Sequence, residues 1–175
     1  MEKSYKEYLH NINTFIFDVD GVFTDNTVLI TEAGELLRKM SVKDGYALKT
    51  AIDKGYNVCI ITGGRSEGVR SRFKGLGVQD IYLGAHYKTE QLNEYLVKHK
   101  IDPKTVLYMG DDMPDIPPMK LVGLPTCPQN AIPEVKNVSK YISNKNGGGE
   151  CVRDVIEQVL KVRGDWFDNF SAKND

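Results

Sequence analysis

The chain has 175 residues, 41% of them hydrophobic, which is enough to bury one full core and too few for two. Its 23 basic and 24 acidic residues nearly cancel to a formal net charge of −1, so the chain lacks the basic field that nucleic-acid binding needs. No segment resembles a secretory leader or approaches the length of a membrane span, and we expect one cytoplasmic domain over residues 1–175 that binds neither nucleic acid nor membrane.

The first predicted strand is the apolar run TFIF at residues 14–17, and it is followed by two acids, Asp18 and Asp20. A carboxylate buried at the end of an apolar strand is costly unless it has a partner. Either this strand end is solvated, or a positive group lies between the two side chains.

Residues 27–42, TVLITEAGELLRKMSV, interrupt the alternation of strands and helices. They contain two strand-like runs about a Glu-Ala-Gly-Glu turn, which is typical of a β-hairpin. This hairpin would be inserted between the first strand and the first helix. It would stand over the carboxyl ends of the strands, where open α/β folds bind ligands, and would form a small lid there.

Short apolar runs recur along the rest of the chain, with helical segments between them. Runs rich in Val, Ile and Tyr with flanking Gly and Asp favour strands, and they lie at residues 58–61, 80–83, 106–109 and, more weakly, 123–126. Apolar residues at helical spacing lie within 47–52, 92–96 and 152–160. The alternation predicts an α/β fold, with a three-layer, Rossmann-like, mainly parallel sheet and helices on both of its faces.

Polar groups follow the ends of four predicted strands. After Asp18 and Asp20 come Thr62-Gly63-Gly64-Arg65, then Lys88, and finally Gly110-Asp111-Asp112 with Asp115. The carboxyl ends of parallel strands face one crevice, so these groups should meet there. Each alone has an ordinary explanation as a turn, a helix cap or a solvated charge, but their joint occurrence indicates a functional site.

The predicted crevice holds the groups that phosphoryl transfer through an aspartyl-phosphate requires. A carboxylate is the nucleophile, a lysine offsets phosphate charge, and a hard cation draws oxygen ligands from the acids. Mg²⁺ needs only one or two carboxylates beside phosphate oxygens, so Asp18 and Asp111 suffice as side-chain ligands. Asp20 is then free to protonate a leaving alkoxide and to deprotonate the attacking water.

These residues resemble the four motifs of the haloacid dehalogenase-like phosphohydrolases, which here are Asp18-Val-Asp20-Gly21, Ile61-Thr62-Gly63, Lys88, and Gly110-Asp111-Asp112 with Asp115. The resemblance implies Asp18 as the nucleophile and Asp20 as the general acid and base. It implies that Thr62 and Lys88 contact the phosphoryl group, with Asp112 and Asp115 in support. It also implies Mg²⁺ as the cofactor, held by the side chains of Asp18 and Asp111 and by the backbone carbonyl of Asp20.

Over residues 12–163 the chain is also similar to one branch of this family, small members without a large cap domain that hydrolyse 3-deoxy-D-manno-octulosonate 8-phosphate. Residues 41–46 resemble the substrate loop of that branch, and residues 147–153 match its glycine-rich stretch before the last helix. The resemblance implies substrate contacts at Val42, Lys43, Asp44, Gly45, Lys49, Gly63, Arg65 and Arg72. It also implies a homotetramer, in which the hairpins associate and a neighbour's C-terminal tail, residues 164–175, reaches the active site.

Two positions depart from the pattern of the branch. Gly64 stands where the branch usually has an arginine, with Arg65 one residue later. Lys49 replaces another arginine, which keeps the charge but loses a planar fork for a carboxylate. A nine-carbon, sialic-acid-like sugar 9-phosphate is therefore an alternative substrate. A phospho-acceptor signalling module and a non-catalytic interaction module are the alternatives of other classes.

Other residue types give weaker signals. The cysteines are far apart and the histidines scattered, which predicts reduced structural thiols and no histidine metal site. Asp25, at the exit from the first strand, is expected to be structural. The aromatic residues of the tail are interpreted as local packing or as a contact with a neighbouring subunit. The residues in question are Cys59, Cys127, Cys151, His10, His86, His99, Trp166, Phe167 and Phe170.

Overall fold

The computed structural model of the chain describes residues 4–166. In chain order its elements are α1 (Lys6–Leu9), β1 (Thr14–Phe17), β2 (Leu29–Ile30), β3 (Leu36–Leu37), α2 (Val42–Asp53), β4 (Asn57–Ile61), α3 (Glu67–Gly75), β5 (Asp80–Tyr82), α4 (Lys88–His99), β6 (Val106–Met109), α5 (Ile116–Met119), β7 (Leu124–Cys127), α6 (Pro133–Val138), β8 (Tyr141–Ile142) and α7 (Cys151–Arg163). Two short 3₁₀ turns, Pro103–Thr105 and Met113–Asp115, precede β6 and α5.

The main sheet has the strand order β5-β4-β1-β6-β7-β8, and all neighbouring pairs are parallel. Strand β1 lies between β4 and β6, with Phe17 in register with Ile60 and Met109. Both β1 and β6 are buried along their whole length, as expected for parallel strands covered on both faces. The prediction of an α/β fold with a mainly parallel sheet is confirmed.

Successive side chains of β1 point into two separate cores. Phe15 and Phe17 pack in a cluster with apolar residues of α2, α3 and α7. Ile16 packs in a second cluster with residues of α4, α5 and α6. Helices therefore cover both faces of the sheet, which confirms the three-layer prediction. The three cysteines are free thiols buried in these cores, as expected.

Several elements differ from the sequence-based expectation. Strand β4 begins one residue earlier and β5 ends one residue earlier than predicted, and the short helices α1, α5 and α6 were not predicted. Three further differences have a physical reason. Strand β7 spans Leu124–Cys127, one residue later than predicted, because Gly123 donates to the carbonyl of Pro103 instead of joining the ladder. Helix α3 was not predicted, since only Val69 and Phe73 of its nine residues are buried and they form too sparse an apolar stripe. Strand β8 contains only two residues and carries no periodic signal.

The inserted hairpin is present as the short antiparallel strands β2 and β3, in which Leu29 pairs with Leu37. Gly34 in the turn has a φ of +81°, a conformation that glycine adopts without strain. The four strand side chains are between 47% and 67% exposed. The described residues therefore leave the apolar surface of the hairpin uncovered.

The last helix leads into the predicted tail. Trp166 lies edge-on to Tyr46, with the ring centroids 6.4 Å apart, so the start of the tail packs on its own chain. Phe167 and Phe170, together with the rest of the predicted tail, lie outside the described residues. Among residues 4–166, no helix is both long and apolar enough to cross a membrane.

Candidate active site

Strand β1 delivers Asp18 to the carboxyl edge of the sheet. The Asp18 N–H donates to the Met109 carbonyl at 3.0 Å, which continues the ladder between β1 and β6 by one residue. Its side chain then turns inward, where Oδ1 accepts the Val19 N–H at 2.7 Å. Asp18 is only 7% exposed, so this carboxylate needs compensation from nearby groups.

Glycines allow the loops around Asp18 to approach one another closely. Gly21 has a φ of +87°, and a Cβ atom there would overlap the Asp111 carboxylate. A Cβ atom at Gly110 would overlap the side chain of Asp115, and one at Gly147 would overlap the Gly21 carbonyl. The glycine-rich stretch that contains Gly147 thus packs directly against the backbone of the loop that follows β1. These contacts bring the acids after β1 and β6 together.

Lys88 is the first residue of α4, and it supplies the positive group that the first strand end requires. Its Nζ atom lies 2.7 Å from Asp18 Oδ2 and 2.7 Å from Asp115 Oδ1. Burial alone lowers the pKa of Lys88, but the attraction of Asp18 and Asp115 outweighs burial and raises it. Lys88 is therefore a buried ammonium group.

Asp115 is fully buried and acts as a hub of hydrogen bonds. Besides Lys88, its carboxylate accepts the Tyr108 hydroxyl at 3.0 Å and the Asp111 N–H at 3.1 Å. Asp112 caps the 3₁₀ turn that contains Asp115, with its side chain accepting the Met113 N–H at 2.8 Å. Asp115 therefore fixes the backbone of Asp111, and Asp112 holds the 3₁₀ turn that carries Asp115.

Asp18, Asp111 and Asp115 form an acidic cluster whose nearest oxygen atoms lie within 4.8 Å of one another. Burial and the repulsion of Asp115 raise the pKa of Asp18 to about 7. Burial and the repulsion of Asp18 and Asp115 raise the pKa of Asp111 to about 8. Asp111 Oδ1 is also buried without a hydrogen-bond partner among the described residues. These oxygens fit a hard divalent cation such as Mg²⁺.

The cluster makes stability depend on pH and metal. Without metal, the pKa values of Asp18 and Asp111 are higher in the folded chain than in the unfolded chain. The folded state then binds more protons, so the free energy of unfolding should fall as pH rises from about 4 to about 8. Added Mg²⁺ should offset this fall, because it binds the ionised carboxylates. Thermal melts between about pH 4 and pH 8 measure how stability changes with pH, once in EDTA and once in Mg²⁺. Equal slopes would contradict a cation site.

The turn after β4 forms the opposite wall of the site. Thr62 is 3% exposed, and its hydroxyl accepts the Gly64 N–H at 3.2 Å. The turn is fixed to the loop before α4, because the Gly84 N–H donates to the Gly64 carbonyl and the Ala85 N–H donates to the Thr62 carbonyl, both at 2.9 Å. These bonds fix the turn that carries Thr62 to the loop that leads into Lys88, and both residues line one cavity.

A cavity of 340 Å³ lies between these elements. Eight of the predicted site residues line it, namely Asp18, Asp20, Thr62, Gly63, Lys88, Asp111, Asp112 and Asp115. Five further lining residues were not predicted as site residues, namely Asn26, Gly64, Ala85, His86 and Pro114. Of these, Asn26 follows Asp25 in a turn and has a φ of +67°. A polar turn directly after the DxDG motif was the signal that could have identified Asn26.

The remaining predicted substrate-binding residues lie outside this cavity. Val42 is exposed at the start of α2, Lys43 pairs with Glu150 at 2.8 Å, and Gly45 and Lys49 also belong to α2. Arg65 donates to the His86 ring nitrogen at 2.9 Å and thus stands beside the cavity. Arg72 lines a second cavity of 480 Å³ between α3 and the hairpin. Substrate contact by these residues stays a prediction.

Asp44, another predicted substrate residue, has a clear structural contact. It is fully buried, and its Oδ1 atom accepts the Arg153 N–H at 2.8 Å in the first turn of α7. Burial raises the pKa of Asp44 to about 6. The side chain therefore caps α7 from a neighbouring helix and joins α2 to α7.

Asp44→Ala should lower the free energy of unfolding by about 1–2 kcal/mol, because α7 loses this cap. The raised pKa means that the stability contributed by Asp44 is largest at low pH and declines as pH rises through about 6. The loss should thus be larger near pH 5 than near pH 8. Urea denaturation at both pH values measures this loss of stability. Asp44→Asn, which keeps the acceptor, is the control and should lose less; equal losses would contradict the capping role.

Known proteins resemble both the sequence and the structure. A family model described as haloacid dehalogenase-like hydrolase matches residues 77–156. The 3-deoxy-D-manno-octulosonate 8-phosphate phosphatase KdsC of Salmonella typhi is 35% identical over 154 residues, which cover 88% of this chain and 82% of that protein. The crystal structure of the Yersinia pestis phosphatase of that name superposes with a TM-score of 0.92 at 30% identity, covering 100% of this chain and 93% of that one. The Moraxella catarrhalis phosphatase, crystallised with a magnesium ion, a phosphate ion and a KDO molecule, gives a TM-score of 0.89 at 31% identity and covers 93% of each chain.

Proposed function

The chain belongs to the haloacid dehalogenase-like hydrolases, in the branch of the 3-deoxy-D-manno-octulosonate 8-phosphate phosphatases, and on that premise we propose that it hydrolyses this sugar acid phosphate with Mg²⁺ and an aspartyl-phosphate intermediate. It is a phosphoric monoester hydrolase. The observation that carries the mechanism is the buried contact of Lys88 with Asp18, beside the unpartnered oxygen of Asp111.

In the first step, Asp18 attacks phosphorus and the bond to the sugar oxygen breaks. Lys88 lies 2.7 Å from the Asp18 carboxylate, close enough to balance the negative charge of the phosphoryl oxygens. Thr62 offers its hydroxyl from the facing turn. Asp20, two residues beyond the nucleophile, gives its proton to the departing sugar oxygen.

In the second step, water attacks the phosphorus of the aspartyl-phosphate, and Asp20 takes the proton that the water loses. The bond to Asp18 breaks, and inorganic phosphate leaves. The side chains of Asp18 and Asp111 and the backbone carbonyl of Asp20 would hold Mg²⁺, which would supply positive charge beside the phosphoryl group. Asp115 and Asp112 keep Asp111 in place throughout, through the hydrogen bonds of the 3₁₀ turn.

The substrate assignment is supported by the named relatives and by the charge near the cavity. A sugar acid phosphate has a second anionic end, its carboxylate, which the phosphate half of the site does not bind. Arg65 lies beside the cavity, while Lys43, Lys49 and Arg72 lie further along α2 and α3. We propose that these cations, with Val42 and Gly45, face the sugar acid in a homotetramer that a neighbour's tail completes, while Asp44, buried against α7, holds the start of α2 in place. The proposed role is lipopolysaccharide precursor synthesis in the cytoplasm.

Phosphate release over a panel of sugar phosphates, with Mg²⁺ or with EDTA, tests this function. The expected result is turnover only with Mg²⁺ and the highest kcat/KM for the eight-carbon 8-phosphate. A clear preference for a nine-carbon sugar acid 9-phosphate would overturn the substrate assignment but keep the mechanism. Undiminished turnover in EDTA would overturn the metal assignment.

A further inference from the structure

Arg38, on the inserted hairpin, forms a two-point ion pair with Asp20. Its Nε atom lies 2.6 Å from Asp20 Oδ1, and its Nη2 atom lies 3.0 Å from Asp20 Oδ2. The Arg38 side chain is 9% exposed and that of Asp20 is 33% exposed. A two-point contact between a planar guanidinium and a carboxylate fixes the orientation of both groups.

The same guanidinium is also tied to its own hairpin. The Arg38 Nη1 atom donates to the Leu36 carbonyl at 3.0 Å, so one side chain links the backbone of β3 to the Asp20 carboxylate. The hairpin makes no strand pairing with the main sheet among the described residues. Arg38 is therefore a direct connection between this small insertion and the catalytic loop.

Gly64 lies beside this contact. A Cβ atom at Gly64 would lie 3.5 Å from Arg38 Nη2 and 3.5 Å from Asp20 Oδ2, at ordinary contact distance. The turn after β4 thus borders the pair and leaves it room.

The two acids of the DxDG motif are paired with different cations. Asp18 contacts Lys88 at the start of α4, whereas Asp20 contacts Arg38 on the hairpin. This separation matches the two roles that the proposed mechanism gives them. The nucleophile is fixed to the rigid core, and the proton-transfer group is fixed to the insertion.

We infer that Arg38 is a positioning residue that orients the ionised Asp20 carboxylate to take the proton of the attacking water. The inference rests on the proposed function, since it assigns Asp20 the roles of general acid and base. Proton transfer by a well-placed side chain contributes about 10²- to 10⁴-fold to a rate, and it depends on hydrogen-bond geometry. If the carboxylate loses the partner that orients it, part of this rate enhancement should be lost.

A double-mutant cycle with Arg38→Met and Asp20→Asn tests this assignment. In the wild-type background, Arg38→Met should lower kcat by about 10- to 100-fold with little change in KM, because substrate contacts are intact. In the Asp20→Asn background, the same change should alter kcat by less than about 3-fold, because the group that Arg38 orients is already disabled. Arg38→Lys should restore part of the activity. Lys39→Met, which removes the neighbouring exposed cation of the hairpin, is the control and should leave kcat unchanged.

Several outcomes would overturn the inference. An equal loss in both backgrounds would mean that Arg38 acts through the hairpin or the substrate and not through Asp20. Wild-type kcat in Arg38→Met would overturn the inference alone, whereas wild-type kcat in Asp20→Asn would also overturn the proposed role of Asp20.

A crystal structure of Arg38→Met provides a measurement that needs no turnover. The Asp20 side chain should leave the conformation that it has here, and an unchanged conformation would contradict the positioning role. If Arg38→Met fails to fold, Arg38→Gln takes its place in the cycle and in the crystal structure.

Discussion

Asp18→Asn is expected to lower the rate of phosphate release by about 10⁴-fold or more, with the fold intact. The amide is a poor nucleophile and cannot form the aspartyl-phosphate. It is also close in size to the carboxylate, and its oxygen can still accept the Val19 N–H. Lys88 keeps an ionic partner in Asp115, so the substitution leaves no isolated buried ammonium.

Steady-state phosphate release and circular dichroism melts, run on the same preparation, measure this prediction. Asp25→Asn is the matched control, since Asp25 is an exposed acid of the same loop that accepts hydrogen bonds from Thr27. That variant should turn over like wild type. Turnover of Asp18→Asn within 10-fold of wild type would remove Asp18 from the mechanism, since loss of a nucleophile costs about 10⁴-fold or more.

Lys88→Met should both inactivate and destabilise the protein. It leaves Asp18 and Asp115 buried beside Asp111 without their shared cation, and breaking a buried ion pair in this way costs about 3–5 kcal/mol. The loss should be larger near pH 8 than near pH 5, because protonation of the acids at low pH relieves their repulsion. Added Mg²⁺ should recover part of the stability, since it replaces some of the missing positive charge.

Urea denaturation of Lys88→Met and wild type, at both pH values and with or without Mg²⁺, separates these effects. Lys161→Met is the control, because Lys161 also pairs with an acid, Glu157, at 2.6 Å, but the two side chains are 58% and 26% exposed. An exposed pair contributes little to stability, so that variant should resemble wild type under all conditions. A pH-independent loss in Lys88→Met would show that the lysine acts by packing and not by charge.

Much of the fold and a large part of the candidate site could be predicted from local patterns. Buried parallel strands give unbroken apolar runs, and the polar residue after each run must lie at the same edge of the sheet. Asp18, Thr62, Lys88 and Asp111 were found in this way. The rule needs no knowledge of which helix packs where, and the structure brings all four residues into one cavity.

The contacts that sequence reasoning missed depend on where an irregular segment lies in space. Arg38 is a charged residue at the end of a strand-like run, and nothing in its neighbours indicates that it reaches Asp20, 18 positions earlier in the chain. From the sequence, Asp44 was expected to contact substrate as part of the loop 41–46. In the structure its side chain accepts a hydrogen bond from the backbone of Arg153 in the last helix. Such pairs follow from the packing of whole elements, which local periodicity does not encode.

The close approach of loops at Gly21, Gly110 and Gly147 limits how this protein can be made more heat-resistant. Replacing glycine by alanine commonly stabilises proteins by about 0.4–1 kcal/mol, because the unfolded chain loses freedom. At these three positions a methyl group would displace an acid or the catalytic loop itself. Gly75, at the end of α3, has open space around its Cα atom and no positive φ. Engineering for stability should therefore begin on the outer helices and leave the glycines of the site untouched.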